Sequence, residues 1–258
     1  MTVPGPSEPP AVQTLRWLAR PIAFLESCRR RYGDTFAVRF LGFETPMIMV
    51  SDPQAVRDLY GERGHGLPPG RTVALRPIVG SRSLLLLEGK EHLARRRLML
   101  PPFHGERMRA YEEIVAEAVA RDLETWPSGQ PFAVHPHMQS VTLEVIIRAV
   151  FGVTDPGRRD RLRAALSALL GSTASPALQF GVMLARRFGG PDPLERLGAV
   201  TANIDRLLAD EIAERRADPR EDILSMLVTA RFEDGSAMED REIRDQLMTL
   251  LLAGHETT

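Results

Sequence analysis

The sequence predicts a mainly α-helical protein with a small N-terminal β-sheet. From residue 108 to residue 126, and again from 194 to 212, apolar residues recur at the 3.6-residue spacing of an amphipathic helix. From residue 35 to residue 50, in contrast, apolar and other residues alternate around a Gly- and Pro-containing turn, as in a hairpin. No internal repeat is present. These patterns favour one helical architecture with a minor sheet near its start.

The first sixty residues are predicted to contain an arm, a helix, the hairpin and a second helix. Residues 1–13 are rich in proline and lack periodicity, which predicts an arm. The stretch from Pro21 to Gly33 predicts a short helix with proline at its start and glycine just past its end. The hairpin at residues 35–50 follows, and Ser51 or Asp52 is the expected N-cap of the next helix.

Beyond the hairpin the chain is predicted to be a long connection followed by helices. Residues 61–88 are rich in Gly, Pro and Arg, and long connections inside a compact domain tend to be functional. Residues 89–258 are mostly helical by pattern, and the final helix begins near Glu239 and runs to the end of the chain.

Composition excludes several classes of function. The net charge of -1 gives no reason to expect nucleic acid as a partner. Cys28 is the one cysteine, which excludes an internal disulfide and a multi-cysteine metal site and suits a reducing cytoplasm. No window approaches the ~20 apolar residues needed to span a bilayer, so no membrane span is expected.

The last helix carries the most informative stretch, Ala253 to Thr258, with the sequence AGHETT. A glycine inside a helix costs about 1 kcal/mol relative to alanine, so Gly254 indicates close packing of a neighbouring helix or of a flat, bulky group. Thr257 can donate a hydrogen bond to the carbonyl of Ala253, four residues earlier, which loosens the helix. Glu256 beside that hydroxyl can relay protons to a ligand.

This stretch resembles the oxygen-binding motif of the cytochrome P450 superfamily, the haem-thiolate monooxygenases. The resemblance implies that Ala253 and Gly254 line the distal face of a haem b, that Thr257 hydrogen-bonds the bound oxygen, and that Glu256 helps to deliver protons. It also implies the family's fold, here ending within the long oxygen-binding helix.

A second stretch, from Glu88 to Met108, is similar to the helix with which this family holds the haem propionates. His92 and Arg96 have the i, i+4 spacing of that pair, so both lie on one side of a helix, and the family's Pro-Pro-Phe ending follows at residues 101–103. Arg95 and Arg97 flank the pair and could be confused with Arg96. With the hairpin ahead of it, the resemblance extends over nearly the whole chain, which is expected to be one partial domain of this family.

The family's iron ligand is not in the sequence. The resemblance implies a cysteine in a loop well downstream of the threonine motif, whereas Cys28 lies far upstream, in an early helix, and is expected to be an ordinary helix residue. The chain is therefore expected to be the N-terminal portion of a longer enzyme, with no metal ligand of its own and inactive alone. The resemblance implies an apolar small-molecule substrate, O2 and a ferredoxin-type electron donor for the complete enzyme.

Two other functions are open. His255 and Glu256 also match the start of a His-Glu-x-x-His zinc-protease helix, in which His255 would bind zinc. Alternatively, the protein is a non-catalytic helical protein in which these motifs only pack.

Overall fold

A computed structural model describes residues 3–43, 45–61, 75–105, 107–173, 181, 198–255 and 257. The chain divides into two compact units. The first comprises Met1–Leu67 with Thr173–Arg196, and the second comprises Pro68–Ser172 with Leu197–Thr258. The prediction of a mainly helical protein with a small sheet is confirmed.

The first unit contains three helices and a two-stranded sheet among its described residues. Its elements are α1 (Pro10–Ala19), α2 (Pro21–Tyr32), β1 (Thr35–Val38), β2 (Met47–Val50) and α3 (Pro53–Tyr60). The predicted hairpin is present: β1 and β2 are antiparallel, with Thr35 opposite Val50 and Val38 opposite Met47.

Local chemistry sets the ends of these elements. Gly33 follows α2 with a φ of 92°, in the left-handed region that glycine adopts without strain. Of the two N-cap candidates for α3, Asp52 takes the role, because its carboxylate accepts a hydrogen bond from the Ala55 amide at 2.7 Å.

The predicted extent of the N-terminal arm is wrong at its end. Helix α1 begins at Pro10, so residues 10–13 are helical. The prediction extended the arm through these residues because the segment is rich in proline. Proline is nevertheless favourable in the first turn of a helix, where a backbone N–H would have no intrahelical acceptor.

The core of the first unit lies between α2 and the hairpin. It consists of the buried side chains of Phe24, Cys28, Phe36, Val38 and Phe40. Trp17 of α1 packs against Phe40 with ring centroids 5.2 Å apart.

The second unit is helical in all of its described regular structure. Its helices are α4 (Arg76–Val79), α5 (Gly89–Met99), α6 (Arg107–Leu123), α7 (Val134–Val145), α8 (Pro156–Thr173), α9 (Gly198–Ala217), α10 (Ile223–Thr229) and α11 (Asp240–His255). Short 3-10 turns lie at Leu84–Leu86 and Pro101–Phe103, and a π-helical turn, Ile146–Val150, extends α7.

Two predictions about this unit need correction. The connection at 61–88 is not wholly irregular, since α4 and the first 3-10 turn lie in its second half; residues 62–74 lie outside the described residues. The last helix ends at His255 and does not continue to the end of the chain. The Thr257 hydroxyl donates to the Ala253 carbonyl, the same acceptor that the Thr257 amide would use in a continuing helix.

Helix α11 is the central element of the second unit. It packs against α4, α7 with its π turn, α9 and α10. Its residues Ile243, Leu247 and Leu251 are almost completely buried. Each such side chain contributes about 1.5–3 kcal/mol by leaving water, so α11 is held firmly along most of its length. Among the described helices, none is both long and apolar enough to cross a membrane.

Candidate functional site

Helix α5 is joined to α11 by a buried ion pair. The Nε atom of Arg95 donates to Glu242 Oε1 at 2.7 Å, and these side chains are only 13% and 4% exposed. The guanidinium of Arg95 also lies 5.4 Å from the centre of the Phe232 ring. Because both charges are shielded from water, losing either partner would leave the other stranded.

The neighbouring basic side chains of α5 differ in their contacts. Arg97 donates to Glu233 at 2.6 Å on the surface. His92 is partly buried and Arg96 is exposed. Neither side chain has an ion pair or hydrogen bond with any residue that the structure describes. Of the three consecutive arginines, Arg95 and Arg97 are engaged by acids, whereas Arg96 and His92, one turn apart, are available to an external carboxylate.

The C-terminal end of α11 presents small residues to solvent. Ala253, Gly254 and Thr257 are exposed, whereas Leu251 and His255 are buried. The predicted bond is present: the hydroxyl of Thr257 donates to the Ala253 carbonyl at 2.7 Å. Since a hydroxyl oxygen has further lone pairs, Thr257 can still accept a hydrogen bond from a ligand. Glu256 lies outside the described residues.

Close packing accounts for one side of Gly254. A Cβ atom at this position would lie 3.2 Å from Ile146 Cδ1, at the start of the π turn. The absence of a side chain therefore lets α11 approach this turn. The sequence also suggested that a flat group lies against the backbone at this glycine. Such a group would lie on the exposed side of Gly254.

His255 is turned away from that exposed surface. It is buried, and its Nδ1 lies 3.3 Å from the hydroxyl oxygen of Thr142 on α7. Within the described part of the chain, no group of three His, Cys, Asp or Glu side chains could hold a metal ion. The zinc-protease alternative, which needs His255 as a ligand, has no support in this geometry.

A second polar set in α11 was not predicted from the sequence. Asp245 Oδ2 accepts from the Arg82 amide at 2.9 Å, Gln246 Oε1 accepts from the Leu84 amide at 3.1 Å, and the Thr249 and Ser83 hydroxyls lie 2.6 Å apart. These contacts fasten the segment before α5 to α11. The sequence did contain a signal for this set, since Asp245, Gln246 and Thr249 are polar residues at positions i, i+1 and i+4 of one helix. This spacing places them on adjoining faces of the helix.

The remaining candidate, Cys28, lies in the first unit and not among these residues. It is a free thiol, 3% exposed, within the aromatic core around Phe24 and Phe36. Burial raises the pKa of the Cys28 thiol, which disfavours the thiolate that binds iron. The sequence interpretation of Cys28 as an ordinary helix residue agrees with this placement.

The residues of the second unit fit part of a haem site. His92 and Arg96, which have no hydrogen-bond or ion-pair partner among the described residues, suit carboxylates such as the propionates, and exposed small residues suit a flat ring. The one cysteine of the sequence, Cys28, is buried within the core of the first unit.

Comparisons with known proteins agree on one family. The family model described as cytochrome P450 matches residues 3–258. Over 262 residues the chain is 41% identical to the protein named cytochrome P450 135B1 of Mycobacterium tuberculosis, covering 99% of this chain and 54% of that protein. It is 36% identical to cytochrome P450 138 of Mycobacterium bovis, covering 97% and 58%. The chain thus spans about half the length of the curated relatives it matches.

Solved structures show the same fold. A retinoic acid-bound cyanobacterial CYP120A1 superposes with a TM-score of 0.76 at 22% identity, covering 99% of this chain and 57% of that one. The haem domain of cytochrome P450DA superposes with a TM-score of 0.72 at 23% identity, covering 100% and 57%.

Proposed function

This chain belongs to the cytochrome P450 family, whose members use haem, and on that premise we propose that it supplies the distal wall and the propionate contacts of a haem-thiolate monooxygenase. The complete enzyme would hydroxylate an apolar small molecule with O2 and two electrons. A ferredoxin-type protein is the proposed electron donor, and the cytoplasm is the proposed location.

The observation that carries the proposal is that His92 and Arg96 have no hydrogen-bond or ion-pair partner among the described residues. The arginines on either side of Arg96 both pair with acids. Arg95 is committed to Glu242 and Arg97 to Glu233, so neither can turn to a new carboxylate without breaking an existing pair. A guanidinium matches a carboxylate with two parallel donors, and an imidazole N–H adds a third. His92 and Arg96 would therefore hold the haem propionates.

The exposed end of α11 supports the distal part of the proposal. Ala253 and Gly254 are exposed and small, so they would leave room for a flat ring. The Thr257 hydroxyl donates a hydrogen bond to the Ala253 carbonyl, so its oxygen would face a ligand as an acceptor. Glu256 is the proposed proton donor. When bound, the haem would supply the iron at which oxygen is reduced.

We further propose that this chain does not sustain monooxygenation alone. A thiolate ligand pushes electron density onto the iron and favours O–O cleavage. The one cysteine of the sequence, Cys28, is buried in the core of the first unit and its pKa is raised. The iron ligand would have to come from outside these 258 residues.

A comparison of two porphyrins tests the propionate contacts directly. Ferric haem and its dimethyl ester, which lacks free carboxylates, would be titrated into the purified chain and followed by absorbance. Hydrogen bonds between charged groups contribute about 1.5–3 kcal/mol each, so the free acid should bind the chain about ten to a hundred times more tightly than the ester.

Matched variants locate the preference. The double variant His92→Ala/Arg96→Ala should bind both porphyrins equally, whereas Arg97→Gln should keep the full preference for the free acid. Equal binding of the two porphyrins by the unmodified chain, or loss of the preference in Arg97→Gln alone, would show that this part of the proposal is wrong.

A spectrum tests the missing ligand. The haem-loaded chain, reduced under carbon monoxide, should lack the Soret band that is typical of a thiolate ligand. A clear thiolate band would contradict the assignment of Cys28 to the core.

A further inference from the structure

The last turn of α11 is held by fewer apolar contacts than the rest of the helix. Leu251 is 1% exposed and Leu252 is partly buried, whereas Ala253 and Gly254 are exposed. Of the described residues after Leu251, His255 alone is buried. Burial of apolar surface therefore fixes α11 firmly as far as Leu251, and the contacts of His255 have a large share in deciding where its last turn lies.

Two residues of α7 and its π turn contact consecutive residues of α11. The Thr142 hydroxyl oxygen lies 3.3 Å from His255 Nδ1, and Ile146 Cδ1 lies 3.2 Å from the position that a Cβ atom on Gly254 would take. Thr142 and Ile146 are four residues apart, so they lie on the same face of this continuous helix. One polar and one apolar contact thus define how the end of α11 lies against α7.

The hydrogen bond between Thr142 and His255 has a defined direction. A hydroxyl has one proton, and the Thr142 hydroxyl donates it to the Gln139 carbonyl at 3.1 Å. Its oxygen is then an acceptor towards His255, so the imidazole carries a hydrogen on Nδ1 and donates it to Thr142. Because His255 is buried, loss of the Thr142 hydroxyl would leave this N–H without its acceptor and without water to replace it.

We propose that His255 and Thr142 are positioning residues: the hydrogen bond between them sets the rotation of the last turn of α11 and, through it, the direction of the Thr257 hydroxyl. That hydroxyl donates to the Ala253 carbonyl at 2.7 Å, so its direction follows the turn that carries Ala253. His255 is turned away from the exposed surface, so it acts through Thr257 and not on a ligand directly. This inference rests on the proposed function, in which Thr257 faces the distal ligand.

Hydrogen exchange on the full chain tests the positioning without haem. Thr142→Val removes the hydroxyl and nearly keeps the shape of the side chain. Amide exchange at residues 253–255 should then become at least about fivefold faster, because a buried donor loses its acceptor. Thr142→Ser keeps the hydroxyl and should restore slow exchange. Amides in the first turns of α11 should exchange at the same rate in both variants.

A matched control removes a hydroxyl from another helix. The Thr229 hydroxyl on α10 bonds, among the described residues, to the carbonyls of Ser225 and Met226 in its own helix. Thr229→Val should therefore leave exchange at the end of α11 unchanged. Acceleration there by Thr229→Val equal to that by Thr142→Val would overturn the proposal.

A double variant separates loss of the hydrogen bond from loss of packing. In a His255→Leu background, Thr142→Val should have no further effect on exchange at residues 253–255, because the donor is already absent. Acceleration by Thr142→Val that is equal in the presence and absence of His255 would overturn the proposal.

Nuclear magnetic resonance of the histidine rings gives a direct signature of the bond. In the 15N-labelled chain, the resonance that disappears in His255→Leu should show a hydrogen on Nδ1. Thr142→Val should shift this Nδ1 resonance, and Thr142→Ser should restore it. An Nδ1 resonance that is the same in the unmodified chain and in Thr142→Val would overturn the proposal.

A carbon monoxide complex distinguishes this inference from the proposed function. In the haem-loaded, reduced chain, the infrared stretching frequency of carbon monoxide reports polar groups beside it. Thr257→Val should shift that frequency, and Thr142→Val should shift it in the same direction, whereas Thr142→Ser should not. No shift in Thr257→Val would contradict the proposed function and, with it, the positioning role. A shift in Thr257→Val without one in Thr142→Val would overturn the positioning role alone.

Discussion

Replacing the buried Arg215 with methionine should strongly destabilise the second unit. Arg215 is fully buried, its Nε donates to Asp222 Oδ2 at 2.7 Å, and its Nη2 donates to the carbonyl of Gly152. Asp222 also caps α10 by accepting from the Ser225 amide at 2.6 Å. The single guanidinium therefore links the end of α9 to the start of α10 and to the turn after α7.

The size of the effect follows from burial. Arg215→Met removes the cation but leaves the Asp222 carboxylate in its place, and an unpaired buried charge costs about 3–5 kcal/mol. Domains of this size have total stabilities of about 5–15 kcal/mol, so the loss is a large fraction.

Urea unfolding followed by circular dichroism measures this loss. The adjacent Arg216→Gln is the control, because Arg216 pairs with Asp240, whose side chain is 65% exposed, and such pairs contribute less than about 1 kcal/mol. Arg215→Met/Asp222→Asn should recover part of the stability, since the stranded charge is then gone. Equal losses in Arg215→Met and Arg216→Gln would refute the reasoning.

Three further predictions concern pH, packing and reactivity. Burial raises the pKa of Glu211 above its ordinary value of 4.5, so the ionised carboxylate disfavours the folded state. Glu211→Gln should therefore increase the free energy of unfolding, and the increase should grow as pH rises above 4.5. A hydrogen bond from Arg158 lowers the pKa of Glu214, three residues after Glu211. Glu214→Gln should therefore destabilise the protein at neutral pH and progressively less as pH falls below 4.5. The same pH trend in the Glu211 and Glu214 variants would contradict these assignments. Gly254→Ala should change the free energy of unfolding by less than about 1 kcal/mol, because the better helix propensity of alanine offsets the 3.2 Å contact of its Cβ with Ile146. The same substitution should stabilise an Ile146→Val variant, which lacks the contacting methyl group. Additive effects of the two substitutions would show that the contact has no energetic cost. Cys28 should react with a thiol reagent only as the first unit unfolds, and fast labelling under native conditions would contradict its burial.

The fold class was predictable because its signals are local. Alternation between residues 35 and 50 predicted the hairpin, and 3.6-residue spacing predicted the helices, since both patterns reflect which side of one element meets the core. The bond from Thr257 to Ala253 was predictable for the same reason, as its atoms are four residues apart on one helix. The helical start at Pro10 was missed because proline occurs both in arms and in first turns.

The separate contacts of Arg95, Arg96 and Arg97 could not be predicted from the sequence. Three identical side chains follow one another, and what distinguishes them is an acid 147 residues away for Arg95 and one 136 residues away for Arg97. Arg96 has no such partner among the residues that the structure describes. The order of charges in a sequence shows which residues can form ion pairs, but the fold decides which of them come into contact.

The sequence by itself determined the family and the single thiol, and it predicted His92 and Arg96 as haem-binding residues, because motif spacing and composition can be read without a fold. Only the tertiary structure decided that Cys28 is buried, that His255 faces Thr142, and that Gln13 and Thr14 of α1 are buried. Each of these depends on which distant groups satisfy a polar atom, and that is settled when the chain folds upon itself.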